Sequence, residues 1–134
     1  MKIINYIAIF SLIVIFSSFQ ITSLKTSDLL FQKWVYEGYQ NGNLLYESQL
    51  DFTEDKAGIE FKNNGTLSLK QNSGSCGTPP ITYKTISGTW KNISDSILEI
   101  EYKNWSGLTK DTLQIVNVSK TKLTLKQIHT VRKN

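Results

Sequence analysis

The chain of 134 residues contains one cysteine, one histidine, one methionine and two prolines. A single cysteine, Cys76, permits no intramolecular disulfide, so the fold must hold itself together without one. The single histidine, His129, has no Cys, Asp or Glu within 15 residues. Zinc takes three or four such ligands, so no metal site is assigned, and His129 reads as a solvated residue near a strand end. Cys76 and His129 form a thiolate pair only in principle, because no motif surrounds either. Cys76 sits in Gly74-Ser75-Cys76-Gly77-Thr78-Pro79-Pro80, a tight loop in which a packed, inert thiol is the plainer reading. No Gly-x-Gly-x-x-Gly, P-loop, EF-hand loop or His-Glu-x-x-His occurs.

Concentrated charge is also missing. There are 15 basic and 11 acidic residues, and no run of Lys or Arg exceeds two, which excludes a nucleic-acid patch. Glu99 and Glu101 fall on one strand face opposite Leu98 and Ile100, so they face water and are not paired for acid–base work. The length excludes a TIM barrel or a full nucleotide-binding α/β fold. No catalytic residue and no cofactor are assigned, and the chain reads as non-enzymatic.

One long apolar run is present. Ile3 to Phe19 carries no charge and follows Lys2, the pattern of an export signal, with small residues at Ser17, Ser18, Thr22 and Ser23. Residues 1–23 are therefore expected to be a signal peptide, cut after Ser23 or earlier after Ser17. A retained membrane anchor is the alternative, although the run is slightly short for a span of about 20 residues. No cysteine follows the run closely, so a lipid anchor is excluded. The remaining domain, residues 24–134, is expected to be periplasmic or secreted.

That domain alternates. Leu44, Tyr46, Leu50 and Phe52 share one parity; Ile59 and Phe61 alternate with Glu60 and Lys62; Leu67 and Leu69 alternate with Ser68 and Lys70. Period two marks half-buried strands. Asn63-Asn64-Gly65 between the last two pairs supplies a hairpin turn. Ile86, Gly88 and Trp90, then Leu98, Ile100 and Tyr102, then Leu113 and Ile115, then Leu123 and Leu125 continue the pattern. Val116 is out of phase, as at a bulge. The spacing predicts strands over 33–40, 43–53, 57–62, 66–72, 81–90, 97–103, 110–118 and 122–129, preceded by a short helix within 24–32. Strands with one apolar face and short turns are best satisfied by an all-β, antiparallel, up-and-down eight-stranded barrel, which also removes the edges.

Aromatic residues punctuate the strands: Trp34, Tyr36, Tyr39, Tyr46, Phe52, Phe61, Tyr83, Trp90, Tyr102 and Trp105. An eight-stranded barrel is just wide enough to be filled by its own side chains or to hold one small ligand. Tyr46, Phe52, Phe61, Trp90 and Tyr102 are the candidates to line such a cavity, and Trp34, Gly65 and Gly88 the structural positions. Four Asn-x-Ser/Thr triplets, at Asn64, Asn92, Asn104 and Asn117, fall at turns or strand ends and are frequent by chance in so polar a chain.

Phe61-Lys62-Asn63-Asn64-Gly65-Thr66-Leu67, Ser87-Gly88-Thr89-Trp90, Asp95 to Ile100, and Leu113 to Ser119 followed by Leu123-Thr124-Leu125 resemble the lipocalin-like domain proteins exported by Bacteroidetes. Lys33-Trp34 and Cys76-Gly77-Thr78-Pro79-Pro80 fit the same pattern, although Gln32 stands where a Gly-x-Trp start would place glycine. The resemblance spans residues 30–129. It implies a small exported barrel with no catalytic residues, Gly65 and Gly88 as structural glycines, and Trp34 and Trp90 as core tryptophans. The expected partner is a small apolar or amphipathic ligand. The alternative is a filled barrel that meets an envelope protein through its outer surface.

Overall fold

The computed structural model describes residues 26–74 and 79–133. The leader and Cys76 lie outside the described residues. A short helix, α1 (Thr26–Leu30), leads into β1 (Lys33–Gln40), β2 (Asn43–Gln49), β3 (Gly58–Phe61), β4 (Thr66–Asn72), β5 (Tyr83–Ser94), β6 (Ile97–Asn104), β7 (Gly107–Val118) and β8 (Lys122–Lys133). The eight strands close into an antiparallel barrel, as their alternation predicts. β2 stops at Gln49, short of Phe52, whereas β5 and β8 run on to Ser94 and Lys133.

The succession of strands is broken in one place. Around the barrel the order is β1-β2-β8-β7-β6-β5-β4-β3, with β3 closing on β1. β1 therefore lies between β2 and β3, and the order is not a plain up-and-down succession. The segment from Leu50 to Ala57 crosses the outer face of β1. Lys33 Nζ pairs with Asp51 at 2.9 Å, Lys56 Nζ with Glu37 at 2.9 Å, and the Tyr36 N–H donates to the Ala57 carbonyl at 2.9 Å. Val35 and Gly58 face each other across β1 and β3 on that outer face, and both are buried.

Each strand turns alternate residues inward, and the inner positions fall into two zones. Toward the end where α1 enters, Leu30, Trp34, Phe61, Leu67, Leu98 and Leu123 form a dry core with Ile59, Ile100, Leu113 and Leu125. Trp34 is fully buried, and its Nε1–H donates to the Leu30 carbonyl at 3.0 Å. The Phe61 ring meets Trp90 edge-on with centroids 5.4 Å apart, and the Phe31 ring lies tilted against Trp90 at 6.1 Å. The helix and its following turn therefore plug this end.

Bulges reset the inward parity. Val116 is the extra residue between Ile115 and Asn117, so Val118 faces in where Asn117 does not. Ile128 is likewise extra between Gln127 and His129, and this brings Thr130 and Arg132 to the inner face. His129 pairs with Thr112 on the outer side. Glu99 also points outward, between Lys91 at 3.0 Å and Lys110 at 3.3 Å.

Two glycines have local reasons. Gly65 closes the β3–β4 hairpin at φ 81°, a conformation that side-chain-bearing residues rarely adopt, and Asn64 Oδ1 accepts from the Thr66 N–H at 3.0 Å. At Gly88 the reason is space: an added Cβ would sit 2.4 Å from the Glu101 carbonyl oxygen of the neighbouring strand. Because backbone cannot swing aside as a side-chain tip can, Gly88→Ala should lower unfolding free energy by about 1–3 kcal/mol. The exposed neighbour Ser87→Ala should change it by no more than about 0.5 kcal/mol. Parallel urea titrations check both, and equal midpoints for the two variants would contradict the close approach.

Candidate functional site

From the plugged end toward the opposite rim, inward residues pass from apolar to polar on strand after strand. The sequence runs Leu67, Leu69, Gln71 along β4 and Leu98, Ile100, Tyr102 along β6. Read backwards, β7 gives Leu113, Asp111, Thr109, and β8 gives Leu125, Gln127, Thr130, Arg132. At this end the barrel holds a cavity of about 350 Å³. Its inner wall is Tyr46, Ile59, Leu69, Ile100 and Leu113, and its upper wall Leu44, Tyr36, Tyr102, Asp111, Gln71, Gln127 and Arg132. The volume lies at the small end of ligand pockets, roughly 300–1,000 Å³. A wider groove of about 610 Å³ beside α1 is lined mainly by short polar side chains, with Asp95 as its one charged residue.

Asp111 organises the upper wall. It is 6% exposed, and a buried carboxylate is tolerated only where hydrogen bonds replace water. Tyr102 Oη donates to Oδ2 at 2.8 Å, and Gln127 Nε2 and Thr130 Oγ1 donate to Oδ1 at 3.1 Å and 2.5 Å. Gln127 also donates to Thr130 Oγ1. The bulge at Ile128 is what allows two β8 side chains to converge on one carboxylate.

Two phenols are held protonated. Burial pushes the Tyr46 hydroxyl well above its usual range, with smaller contributions from Tyr36 and the Asp111 carboxylate. Tyr102 is pushed the same way by burial first, then by the negative charge of Asp111 and the hydrogen bond to it. Tyr36 and Tyr46 meet edge-on with centroids 5.7 Å apart, so the phenols form a connected wall.

Of the residues expected to line a cavity, Tyr46 and Tyr102 do so. Phe61 and Trp90 do not: they pack together at the plugged end, where Trp90 Nε1 donates to the Lys62 carbonyl at 2.8 Å. Phe52 is outside the wall altogether. With β2 ending at Gln49, strand parity no longer governs it, and its ring covers Gly58, 2.6 Å from where a Cβ would stand. Asp111, Gln71, Gln127 and Arg132 were not among the expected residues, although Asp111 carries a visible signal: it shares the parity of Leu113 and Ile115. Among the described residues no group of three or more His, Cys, Asp or Glu side chains is placed to hold a metal, and no helix is long and apolar enough to cross a membrane.

No protein-family profile, no curated protein and no solved structure matches the chain.

The phenols make a pH prediction with a fixed sign. In the unfolded chain a tyrosine loses its proton near pH 10, whereas folded Tyr46 and Tyr102 keep theirs. The folded state thus binds more protons above pH 10, and stability present below that value is lost as pH rises. The slope approaches about 1.4 kcal/mol per pH unit for Tyr46 and is smaller for the partly exposed Tyr102. Urea unfolding between pH 9 and 12 should show this loss, reduced in Tyr46→Phe. Identical pH dependence of the variant and the parent would contradict it.

Proposed function

We propose that this chain is an exported, lipocalin-like, non-catalytic binding module that takes one small amphipathic ligand into the open half of its barrel. The observation that carries the reading is the half-filled interior: about 350 Å³ of space above a dry core, with a mostly aliphatic floor and a protic wall. Such a division suits a molecule with an apolar ring or short chain at one end and a polar group at the other. The charge-free run from Ile3 to Phe19 supports export, and the turn-and-strand motifs around Gly65, Gly88 and Trp90 support kinship with the lipocalin-like proteins. A non-catalytic role agrees with the wall's chemistry. The Asp111 carboxylate is occupied by three donors, and the phenols beside it resist ionisation.

N-phenylnaphthylamine, an uncharged dye whose emission rises out of water, tests the reading. The protein should take it up saturably at one site. Leu69→Trp, which fills the cavity from β4, should abolish uptake while keeping a cooperative thermal transition. Absence of saturable uptake, or uptake undiminished in a folded Leu69→Trp protein, would falsify the proposal.

A further inference from the structure

The cavity's upper wall is not electrically even, and this bears on what it holds. Asp111 lies opposite Ile100 on β6 and Thr130 on β8. Thr109, two residues nearer the rim, lies opposite Tyr102 and Arg132. At a rise of about 3.4 Å per residue, the Arg132 level stands roughly 7 Å farther out than the Asp111 level. The negative group is thus deep and the positive group is at the mouth.

Their engagement differs as much as their position. Both oxygens of Asp111 already accept hydrogen bonds. Arg132 lines the cavity and forms no ion pair among the described residues. Two further polar atoms in the same zone are buried without a partner among the described residues: Nε2 of Gln71, which lines the cavity, and Oγ1 of Thr109, whose residue is 1% exposed. A guanidinium and a buried amide donor at one mouth are complementary to an acceptor carrying negative charge. A cationic head would instead meet Arg132 first and would have to strip a donor from Asp111.

Resting on the binding reading above, we infer that the ligand is a ring-bearing organic anion, seated ring-inward on Leu69, Ile100 and Tyr46. Its acid group sits at the mouth between Arg132 and Gln71. Asp111 fixes Tyr102, Gln127 and Thr130 in place and does not touch the acid group.

Three probes sharing one ring system decide this by titration calorimetry at neutral pH: naphthoate, naphthamide and naphthylmethylammonium. Naphthoate should bind about tenfold more tightly than naphthamide, the amount expected of one charge-assisted contact, and the ammonium should bind weakest. Arg132→Gln should bring naphthoate to within about twofold of naphthamide. Lys103→Gln, which removes an outward-facing charge on β6, should leave the preference intact. Gln71→Leu should weaken naphthoate by about fivefold. Equal or tighter binding of the amide or the ammonium overturns the inference, as does a preference that survives Arg132→Gln or is lost in Lys103→Gln. Naphthoate affinity unchanged in Gln71→Leu overturns the role of that amide. A protein that takes up N-phenylnaphthylamine but not naphthoate keeps its cup and loses the anion; one that takes up neither loses the binding reading itself.

Discussion

Trp34 is fully buried, and its indole N–H donates to the carbonyl of Leu30, the last residue of α1. A tryptophan in a barrel needs a partner for that N–H as well as room for its rings, and here the helix end supplies both. The bond ties the entering chain to the first strand and lays Leu30 over Trp34 as a lid. Burying two such side chains stabilises the fold by several kcal/mol, on the order of 1.5–3 kcal/mol or more for each. Because α1 and the Phe31, Trp90 and Phe61 rings complete the seal at this end, the opposite end is free of the need to be hydrophobic. The wet half of the barrel depends on the dry half being closed.

The crossing segment solves a related problem. With β1 lodged between β2 and β3, the chain must pass over the outer face of β1, and an outer face normally meets water. Phe52 covers Gly58, Lys33 lies 5.9 Å over the Phe52 ring, and Lys70 Nζ donates to the carbonyls of Thr53 and Glu54. Individually these exposed contacts contribute little. Together they hold a segment of eight residues, Leu50 to Ala57, against the wall beside the shortest strand, β3 (Gly58–Phe61). Ala57 and Gly58, where that strand begins, belong to the cavity lining, so the strap borders the site as well as closing the sheet.

How far the sequence discloses this architecture depends on the range of the interaction. Alternation within a strand and turn chemistry between neighbours are local, so the hairpin at Asn63-Asn64-Gly65 and the bulge at Val116 are legible. The pairing of β2 with β8 and of β1 with β3 is non-local; no periodicity in either strand names its partner. The site divides the same way. Tyr46 and Tyr102 follow from parity alone, and Asp111 announces itself as an acid on an apolar face. Phe61 and Trp90 share the inward face with them but lie at the other end, a coordinate along the barrel axis that alternation does not carry. Arg132 is hidden by the bulge at Ile128, because simple alternation from Leu123 and Leu125 would turn it outward.

Physical economy favours one interpretation of the rim. A buried polar atom left without a hydrogen bond costs about 1–3 kcal/mol, a large part of the margin by which a small domain is stable. Leucine at Gln71 or valine at Thr109 would remove that cost and extend the dry core toward the mouth. Instead these positions hold an amide and a hydroxyl, at the same end of the barrel as an arginine with no ion-pair partner among the described residues. The neighbouring carboxylate shows that this end of the barrel can satisfy a buried polar group fully, since Asp111 has donors from three side chains. Unsatisfied and satisfied groups therefore share one end of the barrel. Groups carried on strands lose little freedom on meeting an acceptor, so under the proposed binding role the energy withheld from folding is available to a ligand.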